Sequence, residues 1–228
     1  MKTQAGPASS PGTPPEAMTD TIAAAVASAG IVPVLVIDDE AHGPQLFAAL
    51  SEGGIRCVEI TLRTEAALGL IELAARDFPE LLVGAGTVLS VVDVDRVADA
   101  GARFAVSPGF DEAVVAHAAA RGMLPVPGVA TASEVIRARA AGLSHLKFFP
   151  AEPLGGAAAI SALSGPFADV RFMPSGGLTA ANAAAYVESP AVFAISGAWM
   201  ATRKMIAEGD WATITRLSRE ALDTMGTR

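Results

Sequence analysis

Residues 57–89, CVEITLRTEAALGLIELAARDFPELLVGAGTVL, contain the pattern that decides the fold. An apolar run (57–62) is followed by a stretch with apolar residues at helical spacing, and then by a second apolar run (81–86) that ends in a small-residue turn. Apolar runs of this length that alternate with helical stretches are typical of βαβ units, whose strands are parallel. The segment therefore predicts a parallel sheet with helices packed on it.

The same alternation continues along the chain on both sides of this segment. The apolar runs predict strands at 31–37, 57–62, 81–86, 103–107, 123–128, 145–149, 170–174 and 191–196. Helical spacing predicts helices at 44–54, 64–78, 92–102, 111–122, 131–142, 157–165 and 179–189. Eight strands alternating with helices in a chain of 228 residues predict an α/β fold, a single closed (β/α)8 barrel of the TIM type with few insertions. An open, doubly wound sheet is the alternative.

The N-terminal segment differs from the rest of the chain. Residues 1–18 are rich in Pro, Gly, Ser and Thr and have no apolar period, so they cannot bury enough surface to offset the entropy of ordering. They predict a disordered tail, and residues 19–228 the barrel domain. Asp20 can cap a short helix that ends at Gly30, which precedes the first strand.

Composition excludes several classes of protein. A net charge of −8, with nine Phe, two Trp and one Tyr, argues against a nucleic-acid partner. The single cysteine, Cys57, excludes an intrachain disulfide and a Cys-based zinc cluster, and favours the cytoplasm. The uncharged run 22–37 is shorter than the roughly 18 to 20 residues of a membrane span and is broken by Gly30 and Pro33, so we predict no membrane segment.

Lys147 and Glu59 are charged residues inside predicted strands. Because successive side chains of a strand point to opposite faces, Lys147 lies opposite Leu146 and Phe148, on the face that would form the barrel interior. A desolvated lysine loses its proton more easily and can then form a Schiff base. Glu59 can carry protons for it or simply pair with it. The structural alternative is a lysine whose head reaches the barrel mouth.

Arg63 and Thr87 follow two of the predicted strands, at the end where TIM barrels carry their active sites. Arg63 can bind a substrate carboxylate or remain solvated. The sequence GAGTVL (84–89) contains G-x-G, but Leu89 stands where a dinucleotide-binding motif has its third glycine. We therefore predict a tight turn that leaves the Thr87 hydroxyl at the barrel mouth, and no dinucleotide.

Two turns of small residues follow the last two strands. Ser175-Gly176-Gly177 comes after the seventh strand, and Gly197-Ala198 comes after the eighth and precedes a helix. Many TIM barrels bind phosphate at this place through backbone N–H groups and a helix N-terminus. The turns therefore predict a phosphate site, although two glycines also make ordinary turns.

The three histidines do not indicate a metal site. His42, His117 and His145 are scattered along the chain and have no metal-ligand spacing. We predict neither a metal nor another cofactor.

Six motifs resemble the 2-keto-3-deoxy-6-phosphogluconate (KDPG) aldolase and 4-hydroxy-2-oxoglutarate (KHG) aldolase family over about residues 20–225. They are VEITLRT (58–64), VGAGTVL (83–89), AVSPGF (105–110), PVPGVAT (125–131), LKFFPAE (146–152) and RFMPSGG (171–177). The resemblance implies a metal-free class I aldolase, a homotrimeric TIM barrel of the Entner–Doudoroff pathway. Its small-molecule 2-keto acid substrate would be KDPG, cleaved to pyruvate and glyceraldehyde 3-phosphate.

The resemblance also implies roles for single residues. Lys147 falls on the Schiff-base lysine and Glu59 on the proton carrier. The other matches are substrate-binding positions: Arg63 and Thr87 for the pyruvate carboxylate, Pro108 and Phe149 for the apolar walls, and Gly176 and Gly177 for the phosphate-binding backbone.

Two positions depart from the family's pattern. Ser175 stands where KDPG-cleaving members have Thr, and Ala198 stands where they have a Ser whose hydroxyl helps to bind the phosphate. Both lie on the aldehyde side of the substrate, so an aldolase for the galactonate epimer or for the shorter KHG is an alternative. A phosphosugar isomerase or epimerase without imine chemistry, and a binding protein that has lost turnover, are the alternatives of other classes.

Overall fold

The computed structural model describes residues 15–226, in which short parallel strands form two sheets. The strands are β1 (Ile31–Leu35), β2 (Cys57–Thr61), β3 (Leu82–Gly86), β4 (Phe104–Val106), β5 (Leu124–Val126), β6 (Gly128–Val129), β7 (His145–Phe148), β8 (Arg171–Pro174) and β9 (Ile195–Gly197). One sheet has the order β5-β4-β3-β2-β1-β9 and the other the order β6-β7-β8. Spatial order therefore follows chain order, unlike that of the doubly wound alternative, and the last strand lies beside the first.

Helices connect the strands and cover the sheets. They are α1 (Pro15–Ala29), α2 (Gly43–Glu52), α3 (Ala67–Asp77), α4 (Val91–Asp99), α5 (Glu112–Ala120), α6 (Ala132–Ala140), α7 (Gly156–Ser164), α8 (Ala183–Val187), α9 (Arg203–Glu208) and α10 (Trp211–Met225). Several begin where a side chain accepts the backbone N–H three residues on; at α6, Thr131 and Glu134 form a reciprocal capping box. None of the helices in this part of the chain is long and apolar enough to cross a membrane.

Two predicted strands differ from the observed ones. The run 123–128 is divided into β5 and β6 at Pro127, which has no N–H to donate, although its carbonyl accepts the N–H of Lys147 at 2.9 Å. The run 191–196 becomes regular only at Ile195, because the N–H of Val192 closes a turn onto the carbonyl of Ser189. A bridge between Phe172 and Val192 is all that remains of its first half.

The N-terminal helix begins one helical turn before the predicted start of the barrel domain. Helix α1 begins at Pro15, so Asp20 lies within the helix and not at its start. The reason is that apolar spacing extends further back: Met18 packs with Ile22 and Val26 on the same helix face. The rest of the predicted tail, residues 1–14, lies outside the described residues.

The core has two layers, which follow from strand alternation. In β2, Val58 and Ile60 pack against the helices, whereas Cys57 belongs to an inner cluster enclosed by the strands. Side chains of both sheets meet in that inner cluster, and α1 packs against it with Ile22 and Val26. Apolar side chains therefore fill the end of the strands next to α1, and the polar residues of the inner face lie toward the carboxyl ends.

Candidate active site

A cavity of about 390 Å³ opens at the carboxyl ends of the strands, where α/β folds with parallel strands carry their sites. The structure brings all of the site residues predicted from the sequence to the lining of this one cavity. They are Glu59, Arg63, Thr87, Pro108, Lys147, Phe149, Ser175, Gly176, Gly177, Gly197 and Ala198.

Lys147 and Glu59 form a buried pair at the base of the cavity. The amine Nζ lies 3.4 Å from Oε1 of Glu59, and the two residues are 7% and 1% exposed. Lys147 is on β7 and its neighbours Leu146 and Phe148 pack into the outer layer, as strand alternation predicts. The opposite charges compensate each other's burial. A buried amine next to a carboxylate provides a nucleophile and a proton carrier within reach of one substrate.

The glycines of β3 give the Glu59 side chain its space. Glu59 pairs with Gly84 in the sheet, and a Cβ atom on Gly86 would lie 2.2 Å from Oε1 of Glu59. Real Cβ atoms do not approach so closely, so the carboxylate can cross β3 only because residue 86 has no side chain. The GAG sequence thus makes room for a buried acid as well as a turn.

Thr87 has a strained backbone directly after β3. Its φ is +60°, in the left-handed region that β-branched residues rarely adopt. The turn is fixed on both sides, because the N–H of Val88 donates to Val106 and the carbonyl of Gly86 accepts from Leu62. Strain of this kind costs about 1 to 3 kcal/mol and clusters at functional sites. The side chain of this strained residue lines the cavity, so Thr87 is a candidate for contact with a substrate.

Arg63 lies at the exposed mouth of the cavity. Its backbone N–H donates to Thr61, and its guanidinium has no hydrogen bond or ion pair with any residue in 15–226. A free guanidinium at the mouth can bind a planar carboxylate in two places.

The Ser175-Gly176-Gly177 loop presents N–H groups to the cavity. Its three carbonyls accept hydrogen bonds from residues behind it, at 2.8 to 3.1 Å, and the donors are the N–H groups of Ala151 and Glu152 and the side chain of Asn182. Gly176 and Gly177 have φ values of +96° and +85°, a conformation that favours glycine. Their own N–H groups have no acceptor in the described chain. Consecutive free N–H groups of this kind suit an anion.

Glu152 supports this loop from below. A Cβ atom on Gly177 would lie 2.6 Å from Cβ of Glu152, so the loop rests directly on that residue. The Tyr186 hydroxyl donates a hydrogen bond to the Glu152 carboxylate. Burial, reinforced by this contact, raises the pKa of Tyr186, so the phenol stays protonated as the donor.

The surroundings of the second predicted phosphate turn, Gly197-Ala198, differ from those that the sequence predicts. Gly197 and Ala198 line the cavity, but the next helix, α9, begins only at Arg203, so no helix N-terminus follows the turn directly. Instead the ring of Trp199 covers Gly197, where a Cβ atom would lie 2.1 Å from a ring carbon. Ala198 is exposed at the cavity.

Sequence reasoning missed several lining residues. No role for Ser196 is predicted from the sequence, yet its Oγ lies 3.4 Å from Oε2 of Glu59. Thr61 lies on the same strand face as Glu59, and its hydroxyl donates to Leu35 at 2.9 Å. The remaining ones are Val34, Leu178, Trp199 and Thr202. Alternation in β2 and β9 was the available signal for Thr61 and Ser196, whereas nothing in the sequence marks the others.

Cys57 lies on the same face of β2 as Glu59, one layer deeper. It is fully buried, and burial, with a smaller contribution from Glu59, raises the pKa of its thiol. The thiol therefore stays protonated and packs as a small apolar residue. Within residues 15–226, no group of three or more His, Cys, Asp or Glu side chains has the arrangement of a metal site.

A protein-family model and known proteins that are named aldolases match this chain. A family model described as KDPG and KHG aldolase matches residues 22–217. The 2-dehydro-3-deoxy-phosphogluconate aldolase of Treponema pallidum (strain Nichols) is 43% identical over 206 residues, which are 90% of this chain and 98% of that protein. The KHG/KDPG aldolase of Escherichia coli (strain K12) is 43% identical over 194 residues, 85% of this chain and 91% of that one.

A solved structure adds a chemical observation. The KDPG aldolase of Legionella pneumophila superimposes with a TM-score of 0.83 at 36% identity, over 92% of this chain and 98% of that chain. Its crystal structure contains pyruvate captured at low pH as a covalent carbinolamine intermediate.

Proposed function

The chain belongs to the KDPG and KHG aldolase family, and on this premise we propose that it is a Schiff-base aldolase that cleaves KDPG to pyruvate and glyceraldehyde 3-phosphate. The observation that carries the proposal is the Lys147 amine at 3.4 Å from the Glu59 carboxylate, buried at the base of a cavity. A phosphosugar isomerase could use the carboxylate and the anion-binding loop, but it has no need for this lysine.

The reaction begins at Lys147. The lysine loses a proton, for which the Glu59 carboxylate is within reach, and the neutral amine attacks the C2 ketone. Glu59 returns this proton to the departing hydroxyl, so that water leaves and a cationic imine remains, which withdraws electrons from the C3–C4 bond. Glu59 takes the proton of the C4 hydroxyl as that bond breaks, which releases the aldehyde and leaves an enamine. Return of a proton to C3 and hydrolysis of the imine release pyruvate and the lysine.

The remaining lining residues orient the substrate. Arg63 and Thr87 bind the pyruvate carboxylate, a role supported by the unpaired guanidinium and by the strained turn that presents the threonine. Pro108 and Phe149 form the apolar walls, and the Phe149 ring centroid lies 5.3 Å from the Lys147 amine. These contacts hold the ketone next to the amine, which lowers the entropic cost of attack.

The phosphate is bound at the other end of the cavity. The free N–H groups of Gly176 and Gly177 are its main donors, with Ser175, Gly197 and Ala198 completing the surface. Binding energy at this end aligns the C3–C4 bond with the imine.

Reduction with borohydride in the presence of pyruvate tests the proposal. We expect a protein mass increase of one reduced pyruvate adduct, located at Lys147, and release of pyruvate from KDPG. Absence of the adduct, with isomerisation of a phosphosugar, would favour the isomerase alternative. An adduct without turnover of any 2-keto acid would favour the binding protein.

KHG, which has no phosphate, is the second candidate substrate, and Ala198 is the observation that favours it. The residue is exposed at the cavity, but its methyl group cannot donate a hydrogen bond to a phosphate. A hydrogen bond to a charged group is worth about 1.5 to 3 kcal/mol, so Ala198→Ser should raise the ratio of kcat/KM for KDPG over KHG about tenfold or more. The galactonate epimer of KDPG belongs in the same comparison. An unchanged ratio would mean that Ala198 does not contact the phosphate.

We also propose a closed eight-stranded barrel, a homotrimer and a cytoplasmic role in the Entner–Doudoroff pathway. Closure is supported by the bridge between Ser175 and Ser196, which links the two sheets at one side, and by the hydrogen bond from the N–H of Lys147 on β7 to the carbonyl of Pro127, which lies between β5 and β6. Assembly is supported by the exposed apolar side chains of Leu89 and Val92, each about 60% exposed, which suit an interface between copies. Light scattering measures the subunit number directly.

A further inference from the structure

Ser196 contacts the same carboxylate as Lys147, through the other oxygen. Its Oγ lies 3.4 Å from Oε2 of Glu59, whereas the Lys147 amine lies 3.4 Å from Oε1. The serine is on β9, the lysine on β7 and the acid on β2, so the carboxylate is held between partners from different strands. Contacts of this length are typical of catalytic hydrogen bonds before substrate binds.

The position of Ser196 follows from its strand. Its neighbour Ile195 packs into the outer layer, so Ser196 faces inward, where it is fully buried and lines the cavity. A buried hydroxyl needs a hydrogen-bond partner, and the partner of this one is the Glu59 carboxylate. The backbone of β9 is fixed by pairing with β1 and by the bridge between Ser175 and Ser196, so the hydroxyl has little freedom to move away.

We propose that Ser196 is a positioning residue that holds Oε2 of Glu59 and thereby makes Oε1 the oxygen that accepts and returns protons. The inference rests on the proposed function, because it assigns the proton transfers of that reaction to one oxygen. Once Lys147 is an imine, its nitrogen has lost two of its three N–H donors, and its hold on Glu59 weakens. The Ser196 hydrogen bond then keeps the carboxylate in place.

The hydrogen bond can persist through a complete proton transfer. When the C3–H bond of the pyruvate imine breaks, its electron pair forms the C2=C3 bond of the enamine and the imine nitrogen becomes neutral. The proton moves to Oε1 of Glu59. Oε2 is then the carbonyl oxygen of the neutral acid and still accepts the Ser196 hydrogen bond. The serine therefore need not reorient between the two protonation states.

Within residues 15–226, the charged and titratable side chains around Glu59 come from β7, from the cavity mouth and from the layer below. Lys147 faces it from β7, Arg63 lies at the mouth of the same cavity, and Cys57 lies one layer below on β2. The thiol stays protonated because of its burial, and the lysine is converted into the imine. Ser196 is thus the donor that remains unchanged during the reaction. A hydrogen bond to an ionised carboxylate favours the ionised form. Removal of the Ser196 hydroxyl should therefore move the acidic limb of the pH–rate profile to higher pH.

Exchange of the pyruvate methyl protons with deuterium isolates this step. The exchange needs the imine and the proton transfer at C3, but neither an aldehyde nor a phosphate. It is followed by NMR for the wild type, Ser196→Ala and Ser196→Cys, whose thiol fills the space but is a weak donor. Ser218→Ala is the matched control, because the Ser218 hydroxyl is also buried but has no hydrogen-bond partner within residues 15–226.

We expect both Ser196 variants to exchange the methyl protons about tenfold more slowly, with the acidic limb shifted upward by about half to one pH unit. Borohydride trapping of pyruvate should remain within about twofold of the wild type, since Lys147 is unchanged. The control should match the wild type in every measurement.

Unchanged exchange and an unchanged pH profile in both Ser196 variants would overturn the inference. A loss of the borohydride adduct in parallel with the loss of exchange would also overturn the inference, because it would mean that Ser196 supports Lys147 or the fold. A wild type that forms no adduct would instead refute the proposed function.

Discussion

Lys147 and Glu59 share one buried contact but have separable roles in the proposed reaction. We predict that Lys147→Ala and Lys147→Arg abolish both turnover and the borohydride-trapped adduct, because only an amine can form the imine. The arginine variant keeps a cation beside the buried carboxylate, so it separates lost chemistry from lost stability. Glu59→Gln should form the adduct but turn over about 10² to 10⁴ times more slowly, the usual worth of a positioned acid or base. Near-normal activity of Lys147→Arg would contradict the assignment.

Substitution of Gly86 tests whether catalysis needs the Glu59 carboxylate in its observed position beside β3. We predict that Gly86→Ala lowers kcat at least tenfold, because the new Cβ would lie 2.2 Å from Oε1 of Glu59 and must displace the carboxylate. Gly109→Ala is the matched control, since a Cβ at that position meets nothing within 4 Å. Steady-state rates and melting temperatures of both variants provide the comparison. Equal rates for the two would show that the carboxylate position does not limit catalysis.

Residues of the site differ in how well the sequence predicts them. Lys147 and Glu59 are conspicuous because a charge inside an apolar strand is costly unless it has a purpose. Ser196 has the same inward orientation, but a serine in a strand is common and draws no attention. The strained φ of Thr87 is fixed by hydrogen bonds of its neighbours to Leu62 and Val106, which lie far away in the chain, and one sequence does not reveal such contacts.

Helix α1 closes the apolar end of the sheets, opposite the cavity. We predict that Ile22→Ala lowers the free energy of unfolding by about 2 to 5 kcal/mol, because Ile22 is 4% exposed and packs with Val32 and Leu124 in the inner cluster. Ala24→Ser, on the exposed face of the same helix, should change it by about 0.5 kcal/mol or less. Urea denaturation measures both. A similarly small effect of Ile22→Ala would mean that α1 is not part of the cooperative core.

Elements were predicted well where a local pattern decides them. Strand alternation and helical spacing locate β1 to β4, β7 and β8 to within one or two residues. The predictions failed at Pro127, whose missing N–H divides a strand, and before Ile195, where the turn between Ser189 and Val192 delays regular strand pairing. The start of α1 was misjudged because prolines near residue 15 suggest a tail, although proline is well tolerated in the first turn of a helix.

At the level of the whole molecule, the two ends of the strands have different roles. The apolar end stabilises the fold, and the polar end carries the candidate active site. The inner face is apolar next to α1 and becomes polar toward the carboxyl ends, where Glu59, Lys147 and Ser196 meet. The protein carries a net charge of −8, yet its candidate substrates are anions. Attraction must therefore be local, from Lys147, Arg63 and the backbone N–H groups of the glycine loop, and not from the overall field. A raised salt concentration should for this reason affect KM only modestly.

The proposed chemistry also predicts how the whole protein responds to chelators. We expect EDTA to leave both kcat/KM for KDPG and the melting temperature unchanged, because the lysine imine already supplies the electron sink that a metal-dependent aldolase obtains from its ion. The measurement compares enzyme dialysed against EDTA with the same enzyme after Mg²⁺, Mn²⁺ or Zn²⁺ is returned. Activity that falls on dialysis and recovers with one of these ions would contradict the imine mechanism. Unchanged activity together with a pyruvate adduct at Lys147 would leave the Lys147 imine as the group that accepts the electrons of the broken C3–C4 bond.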